Sequence, residues 1–500
     1  MCRVKFKTIS KYARELNTRQ LHTEVHALAQ ETSQEMLRAS SLVTQQQQQK
    51  QQQRHREDFK AQRATRNKRV FRVIMQNSDV QLSSLASAFQ EQQSGPGALW
   101  AEITALSRQP GVVDVGQGYP DFGSNVVAKQ SAKRAISADE KTISGDVPDA
   151  RANQYAPIPG TKDMLEAVKR YYKETAKNVS SVDETRDASL VTTSATEGLY
   201  VVFRALLNKG DEVMTLSPFF PWYLAHATVT ECSLIDVPLN AEDGFVVTEE
   251  MLERAYAESN KRVKIFVHCS PHNPTGHCAS EEELEIIAKF CRKYNIVAIA
   301  DEVYERSTFI ESKPHLRLRE YLPERTVTVG TSSKLMNLSG WRVGWIYGPK
   351  VIVDACNTFH SYASFSTPTP LQAGVADALN DICDHAKPGE GVTPDENAAI
   401  LASNANLLAS ALTSAGLTVY PAQGGFFLVA SVKDIKSVSG DAIQYCKKLA
   451  REGAKVSAVP MTPFYNPTRT NNPTDLVRFA ICKKRETIEE AAKRIRENPL

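Results

Sequence analysis

From about residue 79 onward, short apolar runs alternate with amphipathic stretches of roughly ten to fifteen residues, a rhythm that few architectures accept. Ser189–Ser194 is a β-branched run, and a helical pattern follows from Gly198 to Leu207, stopping at Lys209-Gly210-Asp211. Glu212–Leu216, Val263–Cys269, Ile296–Ala300, Thr326–Val329 and Val343–Tyr347 read as further strands. Ser280 to Glu283 forms a capping box that opens a helix reaching about Tyr294. Helices of this length return the chain to the same edge of a sheet, so the sequence predicts βαβ units and an α/β fold with a mostly parallel sheet. A residue ending such a strand is delivered to the carboxyl edge, where α/β sheets bind ligands.

The pattern shifts after about residue 380. Residues 386–397 form a polar Pro/Gly loop, followed by a long helix to about Ser414. Strands expected at 426–432, 455–459 and 476–482 then alternate with helices near 440–452 and 487–497, which indicates a second, α+β domain. The expected division is an extension over 1–78, an N-terminal arm and part of the small domain over 79–128, a large ligand-binding domain over 129–385, and a small C-terminal domain over 386–500.

The extension differs in kind from the rest. Residues 1–78 hold 16 Lys/Arg against 6 Asp/Glu, although the whole chain carries a net charge of only +3. A glutamine tract, Gln45 to Gln53 broken only by Lys50, precedes a basic run from Arg54 to Arg72. Such a segment lacks the apolar content that offsets the entropy of ordering, so disorder is expected. Two functional readings stand beside that one. Residues 1–22, with six basic residues and the single acid Glu15, have the composition of a mitochondrial leader, and the basic run could contact nucleic acid. Met75 is an alternative start. Nine scattered cysteines without a CxxC pair argue for reduced thiols in an intracellular compartment and against a disulfide framework or zinc site. No run of 18 apolar residues appears, so no membrane span is expected.

Several residues at the strand ends carry chemistry. Lys334 closes Gly330-Thr331-Ser332-Ser333-Lys334, and Arg342 follows eight residues later in Ser339-Gly340-Trp341-Arg342. Hydroxyls beside a guanidinium can hold a phosphate, and a lysine amine there can form an imine with an aldehyde on the same ligand. Asp301 ends an apolar strand, where a carboxylate is costly unless it meets a cation or caps the next turn. Tyr304 lies three residues further on, and Asn273 sits in the turn Asn273-Pro274-Thr275-Gly276; either could donate to a ring oxygen. Ser194-Ala195-Thr196-Glu197-Gly198 joins a strand to a helix whose first N–H groups form a phosphate seat. Phe220 could stack on a planar ring or simply pack in the core. Arg478, within the strand Leu476–Ala480, needs a carboxylate, whether from a substrate or from an internal Asp/Glu.

In that order along the chain, GQGYPDF, NQYAPIPG, NPTG, DEVY, SSK, SGWRVGW and VRFA resemble the class I/II pyridoxal-phosphate-dependent aminotransferases over about residues 95–497. Trp100 in GALWAEI, the segment Gly116–Phe122 and Ser217-Pro218-Phe219-Phe220 are similar to the branch of kynurenine aminotransferases, glutamine transaminase K and cysteine-S-conjugate β-lyases. The resemblance implies a fold-type I, aspartate aminotransferase-like enzyme using pyridoxal 5′-phosphate and no metal. It implies Lys334 as Schiff-base lysine and proton shuttle, Asp301 against the pyridine nitrogen, and Tyr304 and Asn273 on the ring oxygen. Ala195, Thr196, Thr331 and Arg342 would hold the phosphate, with Phe220 on the ring face. Arg478, with Gly118, Asn273 and Trp100, would bind the substrate. Tyr155 would reach the phosphate of a neighbouring subunit, making a homodimer.

Two positions depart from that branch, Thr196 in the phosphate turn and Ser366 in Phe365-Ser366-Thr367-Pro368. Both are expected to border the substrate side chain, which leaves a kynurenine or aromatic preference open. The expected reaction moves an amino group from an L-amino acid of kynurenine, glutamine, methionine or aromatic type to a 2-oxo acid in ping-pong order. β-Elimination on the same fold is the nearest alternative, and a cofactor-binding transcription regulator a remote one. The expected setting is the cytoplasm, or the mitochondrion if residues 1–22 act as a leader, with neither nucleic acid nor membrane as partner.

Overall fold

The structure is a computed structural model of the 500-residue chain, and it describes residues 82–87, 96–138, 150–309 and 314–500. The basic extension over 1–78, with its expected disorder and targeting role, lies outside the described residues. The chain divides into two compact units, Met1–Ser87 and Ala88–Leu500, and the account below concerns the second.

Helix α1 (Pro96–Ser107), strand β1 (Val113–Asp114), helices α2 (Val126–Ser137) and α3 (Lys162–Glu174) lead into a seven-stranded sheet. Its strands are β2 (Asp187–Thr192), β3 (Glu212–Ser217), β4 (Ser233–Pro238), β5 (Val263–Cys269), β6 (Val297–Asp301), β7 (Thr326–Thr331) and β8 (Gly344–Pro349). The spatial order is β2-β8-β7-β6-β5-β3-β4. All neighbours pair in parallel except β8, which runs antiparallel to both β2 and β7. The connecting helices are α4 (Ala195–Leu206), α5 (Trp222–Val229), α6 (Glu249–Glu258), α7 (Glu281–Lys293) and the one-turn α8 (Ser332–Leu335).

Successive strand residues point to opposite faces, and here both faces are covered. Val213, Ile265, Val267 and Ile299 pack with Leu199 and Phe203 of α4. Met214, Phe266, Ala298 and Ala300 on the other face pack with Leu252 of α6 and Leu284 and Ile287 of α7. Double coverage explains why these strands read as unbroken apolar runs. The capping box opens α7: Ser280 accepts from Glu283 N, and the Glu283 side chain accepts from Ser280 N.

Helices α9 (Lys350–Ala363), α10 (Thr369–Asp384) and α11 (Glu396–Ser414) lead to a four-stranded antiparallel sheet, and α12 (Ala442–Arg451) and α13 (Arg485–Glu497) complete the chain. That sheet comprises β9 (Thr418–Tyr420), β10 (Phe427–Ser431), β12 (Val459–Pro460) and β13 (Leu476–Ala480), in the order β12-β13-β10-β9. The single strand expected at 455–459 is instead β11 (Val456–Ser457), paired in parallel with β1, and then β12. Among the described residues, no helix is long and apolar enough to cross a membrane.

Candidate active site

The carboxyl ends of the parallel strands open into a cavity of about 360 Å³. Of the thirteen residues singled out from sequence, twelve line it, and they come from the ends of β2, β3, β5, β6 and β7, from the arm, and from β13. Tyr155 lies elsewhere: it is 82% exposed and meets Phe365 edge-on, with ring centroids 5.2 Å apart. Ser366 is likewise not brought to this cavity.

At the floor, Asp301 is the last residue of β6 and is buried. Tyr223 donates its phenol to Asp301 Oδ2 at 2.5 Å, while Asp301 Oδ1 is buried with no hydrogen-bond partner. Burial pushes the Asp301 carboxyl up to about 6, against the pull of the Tyr223 bond. A half-satisfied buried carboxylate facing a cavity is suited to a ligand cation or N–H donor.

Opposite it, Arg478 of β13 is buried, and its guanidinium lies 3.8 Å from the Phe427 ring centroid and 4.6 Å from that of Phe464. Nη1 donates to Asn273 Oδ1 at 3.0 Å and Nη2 to the Gly116 carbonyl at 3.4 Å, while Nε is unpartnered. No described carboxylate pairs with it, so the internal acid considered from sequence is not its partner. Burial lowers its pKa to about 10. An arginine has only donors, so the Asn273 amide must present its oxygen to Arg478, leaving the NH₂ end for other acceptors.

Lys334 stands between these groups on α8. Its Nζ donates to the Gly118 carbonyl at 2.8 Å, and burial, reinforced by the charges of Arg478, Arg342 and Lys483, lowers its pKa. Both effects favour the neutral, nucleophilic amine. Gly118 is required here by close approach, since a Cβ at that position would lie 2.2 Å from Phe427 Cζ.

The turn before α4 closes one end of the cavity. Ser194 takes a left-handed φ of 94° and makes no side-chain cap, so the first N–H groups of α4 receive no hydroxyl from the N-cap. Gly344 makes room for this turn, because a Cβ there would lie 2.5 Å from the Ser194 carbonyl carbon. Behind it, Glu197 accepts from Thr193 N, from His360 Nδ1 at 2.9 Å and from Ser364 Oγ at 2.6 Å. Burial raises the Glu197 pKa, but those bonds outweigh it and hold the carboxyl below its usual range. Arg342 faces the same end, exposed, with Nη1 on the Ser339 carbonyl at 3.0 Å. Thr331 lines the same cavity; its Oγ also accepts from Ser333 N at 3.2 Å and lies 3.1 Å from the Val343 carbonyl, so it caps α8.

These groups fit pyridoxal phosphate. Asp301 Oδ1 offers an unmet anion for a protonated ring nitrogen, the uncapped α4 terminus beside Arg342 suits a phosphate, and Lys334 provides an amine for the aldehyde. Phe220 lines the cavity and is stacked on Trp222 with centroids 5.0 Å apart, which fixes its ring plane. Sequence reasoning missed Tyr223 and Phe427. A phenol three residues after Phe220 carries no pattern of its own, and its partner is 78 residues away.

A family profile described as aminotransferase class I and II matches residues 110–495. The solved structure of N-succinyldiaminopimelate aminotransferase from Mycobacterium tuberculosis is similar, with a TM-score of 0.67 and 30% identity, over 80% of this chain and 96% of that one. Aspartate aminotransferase from Thermus thermophilus with maleate has a TM-score of 0.70 and 26% identity, over 84% of this chain and 99% of that one. Kynurenine–oxoglutarate transaminase 1 of Homo sapiens is 28% identical over 80% of this chain and 95% of its own length.

Proposed function

The chain belongs to the class I and II aminotransferases and is a pyridoxal-phosphate-dependent transaminase of fold type I; from that premise we propose which residues do the work and which amino acids they take. Bound in the cavity, pyridoxal phosphate supplies an electron sink for the pair left when the substrate α-carbon loses its proton. Lys334 would hold its aldehyde carbon, and its freed amine would carry the proton from the substrate α-carbon to that aldehyde carbon. Asp301, steadied by Tyr223, keeps the ring nitrogen protonated. Tyr304 and the Asn273 NH₂ would bind the ring oxygen. Ala195, Thr196, Thr331 and Arg342 would take the phosphate, and Thr331 also orders the turn carrying Lys334. Arg478 clamps the substrate carboxylate, with Gly118 and Trp100 closing that side. Two half-reactions follow in turn: an amino acid leaves as its 2-oxo acid, and a second 2-oxo acid leaves as an amino acid.

The observation that carries this reading is a pair of buried, opposite and unpaired charges across one cavity: Asp301 Oδ1 without a donor and Arg478 without a carboxylate. Each is costly to bury until a ligand supplies the complement.

The donor we propose is an L-amino acid of kynurenine, glutamine, methionine or aromatic type. Trp100, Trp222 and Phe427 line the cavity, and its lining cations, Lys334, Arg342 and Arg478, all have other tasks. A homodimer, with Tyr155 reaching the neighbouring site, is supported by its exposure together with Phe365. Residues 129–385 would form the cofactor domain and 386–500, with part of 79–128, the small domain, a division supported by the two separate sheets. The free thiols of the eight described cysteines support a reducing intracellular setting, the cytoplasm or, if residues 1–22 act as a leader, the mitochondrion.

A panel of L-kynurenine, L-glutamine, L-methionine and L-phenylalanine against several 2-oxo acids tests the reaction. Matched formation of a new amino acid and a new 2-oxo acid is expected. Release of pyruvate and ammonia from a cysteine S-conjugate, without amino transfer, would move the reading to elimination.

A further inference from the structure

The segment Gly116–Asp121 contributes Gln117 and Gly118 to the cavity lining, and three basic side chains donate to its carbonyls. Arg478 takes Gly116 O at 3.4 Å, Lys334 takes Gly118 O at 2.8 Å, and Lys483 takes Tyr119 O at 3.0 Å. Lys483 is 2% exposed, no described carboxylate pairs with it, and its Nζ lies 3.7 Å from the Tyr119 ring centroid. A buried ammonium held by one carbonyl and one ring face is an expensive tether. Its own backbone is pinned by the buried Asn404, whose Nδ2 donates to Ile481 O at 3.0 Å and to Lys483 O at 2.8 Å.

Two of those three basic side chains have other work when ligands are present. The Lys334 amine must leave Gly118 O to engage the cofactor, and the Arg478 guanidinium must turn to the substrate carboxylate. Lys483 remains. We propose that Lys483 is a positioning residue for transamination: it is the standing cation that keeps Gly116–Asp121, and with it Gly118, in place over the substrate carboxylate while Lys334 and Arg478 are engaged. Other anchors hold the same segment without a cation: Tyr119 Oη donates to Asp114 Oδ2 at 3.3 Å and Gln117 Nε2 to Thr104 Oγ1 at 3.2 Å. Asp114 Oδ1 accepts from Gly116 N at 2.9 Å and Gln117 N at 3.2 Å, and the Asp121 carboxylate accepts from Lys484 N and Thr487 Oγ. The same ammonium adds positive potential at Lys334, alongside Arg478 and Arg342 and against Cys482.

The inference rests on the roles proposed for Lys334 and Arg478, which cofactor attachment to Lys334 in the unaltered enzyme tests separately. Its own test is Lys483→Met, with Lys483→Arg as rescue and Lys483→Gln as a milder variant should the methionine chain not fold. KM for each amino donor in the panel above that turns over should rise about tenfold or more with kcat changed far less, because ground-state and transition-state binding are weakened alike. In the cofactor-free protein, trace acetylation of Lys334 followed by mass spectrometry should show its pH midpoint move upward, since removing a nearby cation favours the protonated amine. Lys483→Arg should restore both. An unchanged KM with an unchanged midpoint in Lys483→Met or Lys483→Gln would overturn the proposal, as would a loss confined to kcat.

Discussion

Tyr223 and Asp301, 78 residues apart, share a 2.5 Å hydrogen bond at the bottom of the cavity, and it is the one side-chain bond that the Asp301 carboxylate receives. Burial, with a smaller push from the Glu302 charge, drives that carboxyl upward, and the phenol is the larger of the two hydrogen bonds that oppose protonation, ahead of the Val303 backbone. Tyr223→Phe should therefore raise the Asp301 pKa further and loosen its hold on the ring nitrogen's proton. A hydrogen bond to a charged group contributes about 1.5–3 kcal/mol, so kcat should fall about tenfold or more with little change in KM. The kcat–pH profile checks this; a variant with wild-type kcat at every pH would show the phenol to be mere packing.

Asp301 also makes a prediction about stability. Its folded value of about 6 lies above the usual 3.8, so the folded state binds the extra proton between those values. Its contribution is fully present below pH 3.8 and is lost as pH rises towards 6. Cofactor-free Asp301→Asn should thus be more stable than the unaltered chain at pH 7, by about 3 kcal/mol at most, with the difference vanishing near pH 4. Urea titrations of both proteins at the two pH values decide it. Cofactor should shrink the difference by supplying the missing cation.

Removing the guanidinium of Arg478 should act on substrate binding. Truncating one partner of a buried charge pair costs about 2–4 kcal/mol, so Arg478→Gln should raise KM for the amino donor roughly 30- to 1,000-fold. Cofactor attachment should survive, as Arg478 touches Asn273 and the Gly116 carbonyl rather than the phosphate seat. Steady-state kinetics and the visible spectrum of the same preparation separate the two effects.

Gly344→Ala tests the phosphate seat without changing a polar side chain. The added methyl would sit against backbone at Ser194 and Ala195, where nothing flexible can yield. Overpacking of this kind costs about 1–3 kcal/mol. The expected result is a lower Tm together with weaker cofactor binding, read by calorimetry and by titration of the cofactor-free protein.

Much of this was legible in the chain itself. Val263–Cys269 is a strand at the very residues expected, because burial on both faces makes its run continuous. Ser280 and Glu283 announce α7 through a local, reciprocal bond. Strand direction is not local: Gly344–Pro349 reads like its parallel neighbours, and only pairing reveals that it runs the other way. Ser233–Pro238 escaped notice because Ser233, Asp236 and Pro238 break up its apolar pattern. In the site, residues in compact motifs were readable, while Tyr223 and Lys483 acquire meaning only from distant partners. Arg478 was ambiguous between an internal acid and a ligand carboxylate until the fold left it with no acid among the described residues.

The central claim is that Lys334 carries the cofactor. Purified protein loaded with pyridoxal phosphate, reduced with borohydride, digested and sequenced by mass spectrometry should show the pyridoxyl mass on the peptide containing Lys334. Lys334→Ala should lose that mass and the visible absorption band together. The pyridoxyl mass on another lysine, or an unchanged spectrum in Lys334→Ala, would contradict the account.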